Sequence, residues 1–209
     1  MGVKLYTALK ASYGDKSAIS KLQKKGFVQD TALSNDNQQI YYKQKNGKLL
    51  NTVAGTHNLR DWGTDLYLGA GHLKDTNRYK EAKSTLEKAK KKYNPNKTVI
   101  AGHSLGGSIA QDIGGRKNKV KGLDSGYTIG QHTRANVHNF RSSGDAVSLL
   151  GVNAKHMKTI PQKGGFLQDH KYAIAGALTM NPFALGVGLV ADAVRNHDVK
   201  NIKHEKIFV

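Results

Sequence analysis

Thr98-Val99-Ile100-Ala101-Gly102-His103-Ser104-Leu105-Gly106-Gly107 decides how the rest of the chain is read. A β-branched, apolar run enters Gly-x-Ser-x-Gly, and Ser108-Ile109-Ala110-Gln111-Asp112-Ile113 continues from it with a helical pattern. Strand, tight turn and helix in that order force the central serine into a strained backbone conformation at the strand's end. With no Cβ at Gly102 or Gly106, strand and helix can approach closely on either side of Ser104. The Ser104 hydroxyl would then stand exposed. The backbone N–H of Leu105, in the first helical turn, would point at a developing negative charge. The competing reading is a glycine-rich turn whose serine caps the helix, a common role for serine. The nucleophile reading holds only if the chain also supplies partners for Ser104.

An activated serine needs a base within hydrogen-bond reach and a carboxylate to orient that base. Downstream acids are Asp112, Asp124, Asp145, Asp169, Asp192, Asp198 and Glu205. Asp112 belongs to the serine's own helix and is too local. Asp124 follows a plausible strand. Asp145 fits best, because the strand pattern Val137-His138-Asn139-Phe140 runs through a Ser-Ser-Gly loop to the acid. The histidines after it are His156, His170, His197 and His204. His197 lies in a late loop, Arg195-Asn196-His197-Asp198, after a long apolar stretch. His170, in Gln168-Asp169-His170-Lys171-Tyr172, is the rival.

Upstream of the turn, residues 1–25 carry short helical patterns broken at Gly14 and Gly26. Asp15 or Ser17 serves as a cap for the stretch holding Ile19 and Leu22. Asn46-Gly47 between Gln39–Gln44 and Leu49–Ala54 predicts a β-hairpin. Leu59 to Leu66 reads as a short helix. Thr76 to Tyr93 is the longest helical pattern, with Tyr79, Ala82, Leu86, Ala89 and Tyr93 in one stripe. Asn94-Pro95 ends it. Downstream, Val120 with Leu123, and then Tyr127-Thr128-Ile129, suggest two short strands. Residues 173–191 hold no charge and reach the length of a membrane span. Thr179, Asn181 and Pro182 fall near its middle, so it reads as two buried helices, with Asn181-Pro182 opening the second. Strands alternating with helices through short loops indicate an α/β fold with a largely parallel sheet.

A chain of 209 residues fits one domain with a substantial core. At 38% hydrophobic and 23% charged it suits a soluble globular protein. The absence of cysteine excludes disulfides and thiolate metal sites. Residues 1–16 show no apolar segment of the kind that directs secretion. The expectation is therefore a cytoplasmic or, for a viral chain, virion-associated protein. The charge is extreme: 33 Lys+Arg against 15 Asp+Glu, a formal +18, which favours anionic partners. The basic residues are spread along the chain, densest at Lys88, Lys90, Lys91 and Lys92, where cations suit a helix C-terminus. No zinc-finger spacing, RNA-binding aromatic motif or basic zipper accompanies them, so no specific nucleic-acid site is expected.

Four stretches give the sequence a resemblance to the class 3 (fungal-type) lipases, across residues 50 to 202. Val53 to Leu66 is similar to that family's F-R-G-[ST]-x-x-x-x-[DN]-W-x-x-D-L segment. Gly102 to Gly107 matches its G-H-S-L-G-G elbow without a change. Ser142-Ser143-Gly144-Asp145-Ala146-Val147 resembles its N-x-x-D-x-V segment, and His197 to Ile202 its H-[SD]-x-x-N-Y segment. The resemblance implies a single α/β-hydrolase-like domain over residues 1–209, with a mostly parallel central sheet flanked by helices. It implies Ser104 as nucleophile, Asp145 as orienting acid and His197 as general base. Thr56 and Leu105 would form the oxyanion hole, and Trp62 and Asp65 would be structural. Three departures stand out: Ala54 replaces the usual arginine, Ser142 an asparagine, and Ile202 an aromatic residue. No clear lid helix precedes the elbow, although residues 67–77 could cover the site.

The function expected is hydrolysis of lipid carboxylic esters through an acyl-enzyme, with no metal or organic cofactor. The charge directs it toward phospholipids and peripheral contact with anionic membrane. Two alternatives remain open. One is a silent hydrolase-fold protein that binds anionic membrane or nucleic acid. The other is an amidase or peptidase using the same triad.

Overall fold

A computed structural model of the chain describes residues 2–56, 73–125, 134–142, 157–160 and 207. Among them seven strands form one sheet, in the order in which they occur along the chain. These are β1 (Val28–Gln29), β2 (Gln38–Lys43), β3 (Lys48–Val53), β4 (Lys97–His103), β5 (Lys119–Leu123), β6 (Val137–Ser142) and β7 (Met157–Ile160). β1, β2 and β3 pair antiparallel, and β3 through β7 pair parallel. The expected α/β architecture with a mostly parallel sheet is therefore present.

Successive strand side chains point to opposite faces, so each apolar strand supplies two cores. On one face Tyr41, Leu50, Val99, Ala101 and Leu123 pack beneath α1 (Leu5–Ser12) and α2 (Lys16–Gln23), which contribute Leu5, Leu9 and Leu22. On the other, Ile40, Leu49, Val53, Ile100, Val120 and Val137 meet α3 (Asn77–Tyr93) and α4 (Leu105–Ile113). α3 lies in the crossover from β3 to β4, and α4 in the crossover from β4 to β5. Both crossovers step the same way across the sheet, so right-handed connection puts both helices on one face.

The stripe read from the sequence in α3 is the one buried: Tyr79, Ala82, Leu86 and Ala89. Thr76 caps this helix by accepting the Tyr79 N–H, and Asn94, at φ 39°, turns the chain out of it. Asp15 caps α2 through the Ala18 N–H. The predicted hairpin forms, with a four-residue connection. A short 3₁₀ turn (Gln44–Asn46) precedes Gly47 at φ 56°, and Lys43 faces Lys48.

Candidate active site

β4 delivers the chain to Ser104 and α4 carries it away at Leu105. Ser104 has φ 55° and ψ −129°, a left-handed conformation that costs a side-chain-bearing residue on the order of 1–3 kcal/mol. It occupies the N-cap position of α4, yet its side chain makes no capping bond, contrary to the helix-cap reading. Its backbone is fixed instead: the Ser104 N–H donates to Leu123 O at 3.0 Å, and its carbonyl accepts the Gly107 N–H at 2.9 Å. The two glycines are sterically required. A Cβ on Gly102 would fall 2.2 Å from the Gly106 carbonyl oxygen, and one on Gly106 would fall 2.2 Å from Ala54 O. Leu105 is the first residue of α4, where a backbone N–H has no acceptor within the helix.

Ser104 itself is 2% exposed, where the sequence reading expects an open hydroxyl. Part of the cause is close at hand. Parallel pairing sets Val53 opposite Gly102, so Ala54-Gly55-Thr56 leaves β3 beside the turn. Gly55 lies so close that a Cβ there would sit 2.9 Å from Ser104 Cβ. Thr56 follows directly, half-buried, within the arm that crosses the serine.

Two helices hold this arm from opposite faces of the sheet. From α3, the Arg78 guanidinium donates through Nη2 to Gly55 O at 3.0 Å and to Ala54 O. The sequence has an alanine where the lipase pattern has an arginine, and the carbonyl of that alanine is one of the two that Arg78 reaches. From the end of α1, the Tyr13 hydroxyl accepts the Gly55 N–H at 2.7 Å and lies 2.6 Å from His103 Nδ1. The rings of Tyr13 and His103 meet edge to face at 5.9 Å. Neither Tyr13 nor Arg78 is marked by any local sequence pattern.

On the other side of Ser104, Asp124 directly follows β5, fully buried and at φ 45°. Its carboxylate accepts the Ser142 N–H at 2.6 Å and the Ser142 hydroxyl at 2.8 Å. The acid weighed as a triad candidate is thus bonded to the last residue of β6, three residues before Asp145. Asp112, dismissed as too local, accepts the Tyr79 hydroxyl at 2.5 Å with Lys74 Nζ at 3.6 Å, tying α3 to α4. Burial, reinforced by that carboxylate, pushes the Tyr79 hydroxyl up to about 12.

Asp145, His197 and the alternative base His170 lie outside the described residues, as do Trp62, Asp65, 127–129 and 173–191. Among the described residues no group of three or more His, Cys, Asp or Glu is placed to hold a metal ion. No described helix is long and apolar enough to cross a membrane.

The family model for Lipase (class 3) matches residues 42–112, about a third of the chain, from the end of β2 through α4. That span includes Thr56, Arg78, Ser104 and Leu105, and it stops before Asp145 and His197. No curated protein sequence gives a significant match. Among solved structures, the Lip2 lipase of Yarrowia lipolytica is similar at 13% identity. Its TM-score is 0.52, with 77% of this chain and 78% of that one covered. The Rhizomucor miehei lipase–propeptide complex gives TM-score 0.46 at 13% identity, covering 71% of this chain and 62% of that one. A triacylglycerol lipase of Penicillium expansum gives 0.41 at 14% identity, covering 76% and 80%. The resemblance to class 3 lipases seen in the sequence is supported by the family match. The fold is the α/β-hydrolase-like one expected.

Proposed function

We infer that the chain is a serine hydrolase of lipid carboxylic esters, with Ser104 as nucleophile, His197 as general base and Asp145 as the acid orienting it. The observation that carries this reading is Ser104 itself: positive φ, no capping bond, and flanking Gly102 and Gly106 packed so closely that neither has room for a side chain. The class 3 lipase match over residues 42–112 supports the choice of an ester substrate.

His197 takes the Ser104 proton as Oγ attacks the ester carbonyl. The negative charge that builds on the carbonyl oxygen is met by the Thr56 and Leu105 N–H groups and the Thr56 hydroxyl. One such donor is typically worth about 3–4 kcal/mol. The tetrahedral species collapses and the alcohol leaves with the proton from His197. A water activated by the same histidine then releases the acid. The formal charge of +18 favours phospholipid over neutral triglyceride, since each basic residue near an anionic bilayer contributes about 1 kcal/mol. Peripheral attachment to such a bilayer follows from the same charge.

Fluorophosphonate labelling of wild type, Ser104→Ala and His197→Ala tests the mechanism. Labelling of wild type alone is expected. Labelling retained by His197→Ala and lost in His170→Ala would move the base to His170. For the substrate, hydrolysis of phosphatidylglycerol vesicles is expected to exceed that of triglyceride emulsions at low salt. Equal rates would remove the phospholipid assignment.

A further inference from the structure

The oxyanion hole in this reading is made from two separate pieces of chain. Thr56 comes at the end of the arm leaving β3, and Leu105 starts α4. The only covalent path between them runs through all of α3 and β4. Their separation must nevertheless hold to a few tenths of an ångström, because donors act only about 2.7–3.1 Å from the oxygen they stabilise.

The Tyr13 side chain links the arm to the end of β4, which leads directly into α4. Tyr13 Oη accepts the N–H of Gly55, the residue before Thr56, and stands 2.6 Å from Nδ1 of His103, the residue before Ser104. A phenol has one proton to give. With the Gly55 N–H directed at its oxygen, the hydroxyl still has a proton to give and a lone pair with which to accept, so it bonds His103 Nδ1 in either ring tautomer. Tyr13 sits at the C-terminal end of α1, whose Leu5, Ala8, Leu9 and Ala11 are buried against the sheet. Its hydroxyl is therefore placed by a packed helix, and His103 is itself 6% exposed at the end of β4.

We propose that Tyr13 is a positioning residue, a strut whose hydroxyl sets the spacing between the Thr56 and Leu105 halves of the oxyanion hole. The proposal rests on the hydrolase reading for its catalytic consequence, and on the hydrogen bonds alone for its structural one. Tyr13→Phe removes a single oxygen and keeps the ring against His103.

The test is made on the full chain, wild type and Tyr13→Phe, by two independent measurements. The first is ¹⁵N NMR of the His103 ring with amide hydrogen exchange at Gly55 and Thr56. The strut predicts that the Nδ1 resonance of His103 shifts when the Tyr13 hydroxyl is removed. It also predicts exchange at Gly55 and Thr56 at least tenfold faster in the variant. Unchanged His103 ring shifts in the variant, or unchanged exchange, overturns the strut whether or not the protein is a hydrolase.

The second is hydrolysis of a short-chain p-nitrophenyl ester, with inhibition by a trifluoromethyl ketone that mimics the tetrahedral species. A drop in kcat of about ten- to a hundredfold is expected, with KM within twofold. Affinity for the ketone should weaken by the same factor as kcat/KM. A shared fall in kcat and in active-site titre, with ketone affinity intact, would mean lost folded protein and no positioning role. An unchanged kcat would overturn the catalytic half of the proposal. A wild type that hydrolyses no ester would sink the hydrolase reading and the catalytic half with it. The strut itself would then be judged on the NMR result.

Discussion

On the β3 side of Ser104, side chains from two helices hold backbone groups. Arg78 grips the Ala54 and Gly55 carbonyls, and Tyr13 takes the Gly55 N–H. On the β5–β6 side the roles are reversed, and one buried carboxylate, Asp124, grips the N–H and hydroxyl of Ser142. The first brace depends on groups that every residue presents, so position 54 can be alanine without loosening the arm. The second depends on one acid, desolvated and held at positive φ, and it tolerates little. Removing a partner from a buried charged hydrogen bond leaves the other partner unmatched, which is the larger cost.

Four substitutions would break or sharpen that contrast. Gly106→Ala should have the largest effect, because its methyl would meet the Ala54 and Val53 carbonyl oxygens at 2.2 and 2.4 Å. A stability loss of about 3 kcal/mol is expected in urea unfolding, with esterase activity abolished. Asp124→Ala comes next, at about 2–3 kcal/mol, since it leaves the Ser142 N–H and hydroxyl without this acceptor. Ser142→Ala, which keeps the N–H, should lose only about 1 kcal/mol by the same measurement. If Ser142→Ala proved as damaging as Asp124→Ala, the carboxylate would not be the dominant partner. On the other side, Arg78→Ala should lower kcat several-fold while the melting temperature falls by only a few degrees, since the Tyr13 bond to Gly55 persists.

A fifth substitution is a control remote from both braces. Asp30 accepts Lys92 Nζ at 2.6 Å, the Tyr93 hydroxyl at 2.8 Å and the Leu33 N–H at 3.2 Å. Burial pushes its carboxyl up, but the Lys92 and Tyr93 hydrogen bonds outweigh this and hold it below the usual carboxylate range. A carboxyl depressed on folding stabilises above its unfolded pKa, and the contribution fades as pH falls through the folded value. Asp30→Asn should therefore cost about 1–2 kcal/mol near pH 7, with the gap to wild type closing below about pH 4. Its kcat should be unchanged. A fall in kcat would mean that the clamp reaches the site and is no control.

Much of this fold is legible before any coordinates, for local reasons. The stripe of α3, the cap at Asp15 and the strand–serine–helix run of β4 and α4 each lie within a few consecutive residues. β1, two residues long, and β7, a short strand holding Lys158, carry too little pattern to be seen. The braces escape for a different reason. Tyr13 and His103 are 90 positions apart, and Asp124 and Ser142 are 18 apart. A lone tyrosine after a helix or a lone acid after a strand looks like any other until the sheet aligns them. Ser104 and Leu105 could be named from the elbow alone, whereas Thr56 came through the family resemblance. What keeps their spacing could not be read.

Ile207 is fully buried among the residues beneath α1, and its N–H donates to the Val3 carbonyl at 2.8 Å. Positions 3 and 207 are thus neighbours. Replacing Ile207 by alanine would remove a wedge from under α1. The effect would be felt at Tyr13, at the far end of that helix.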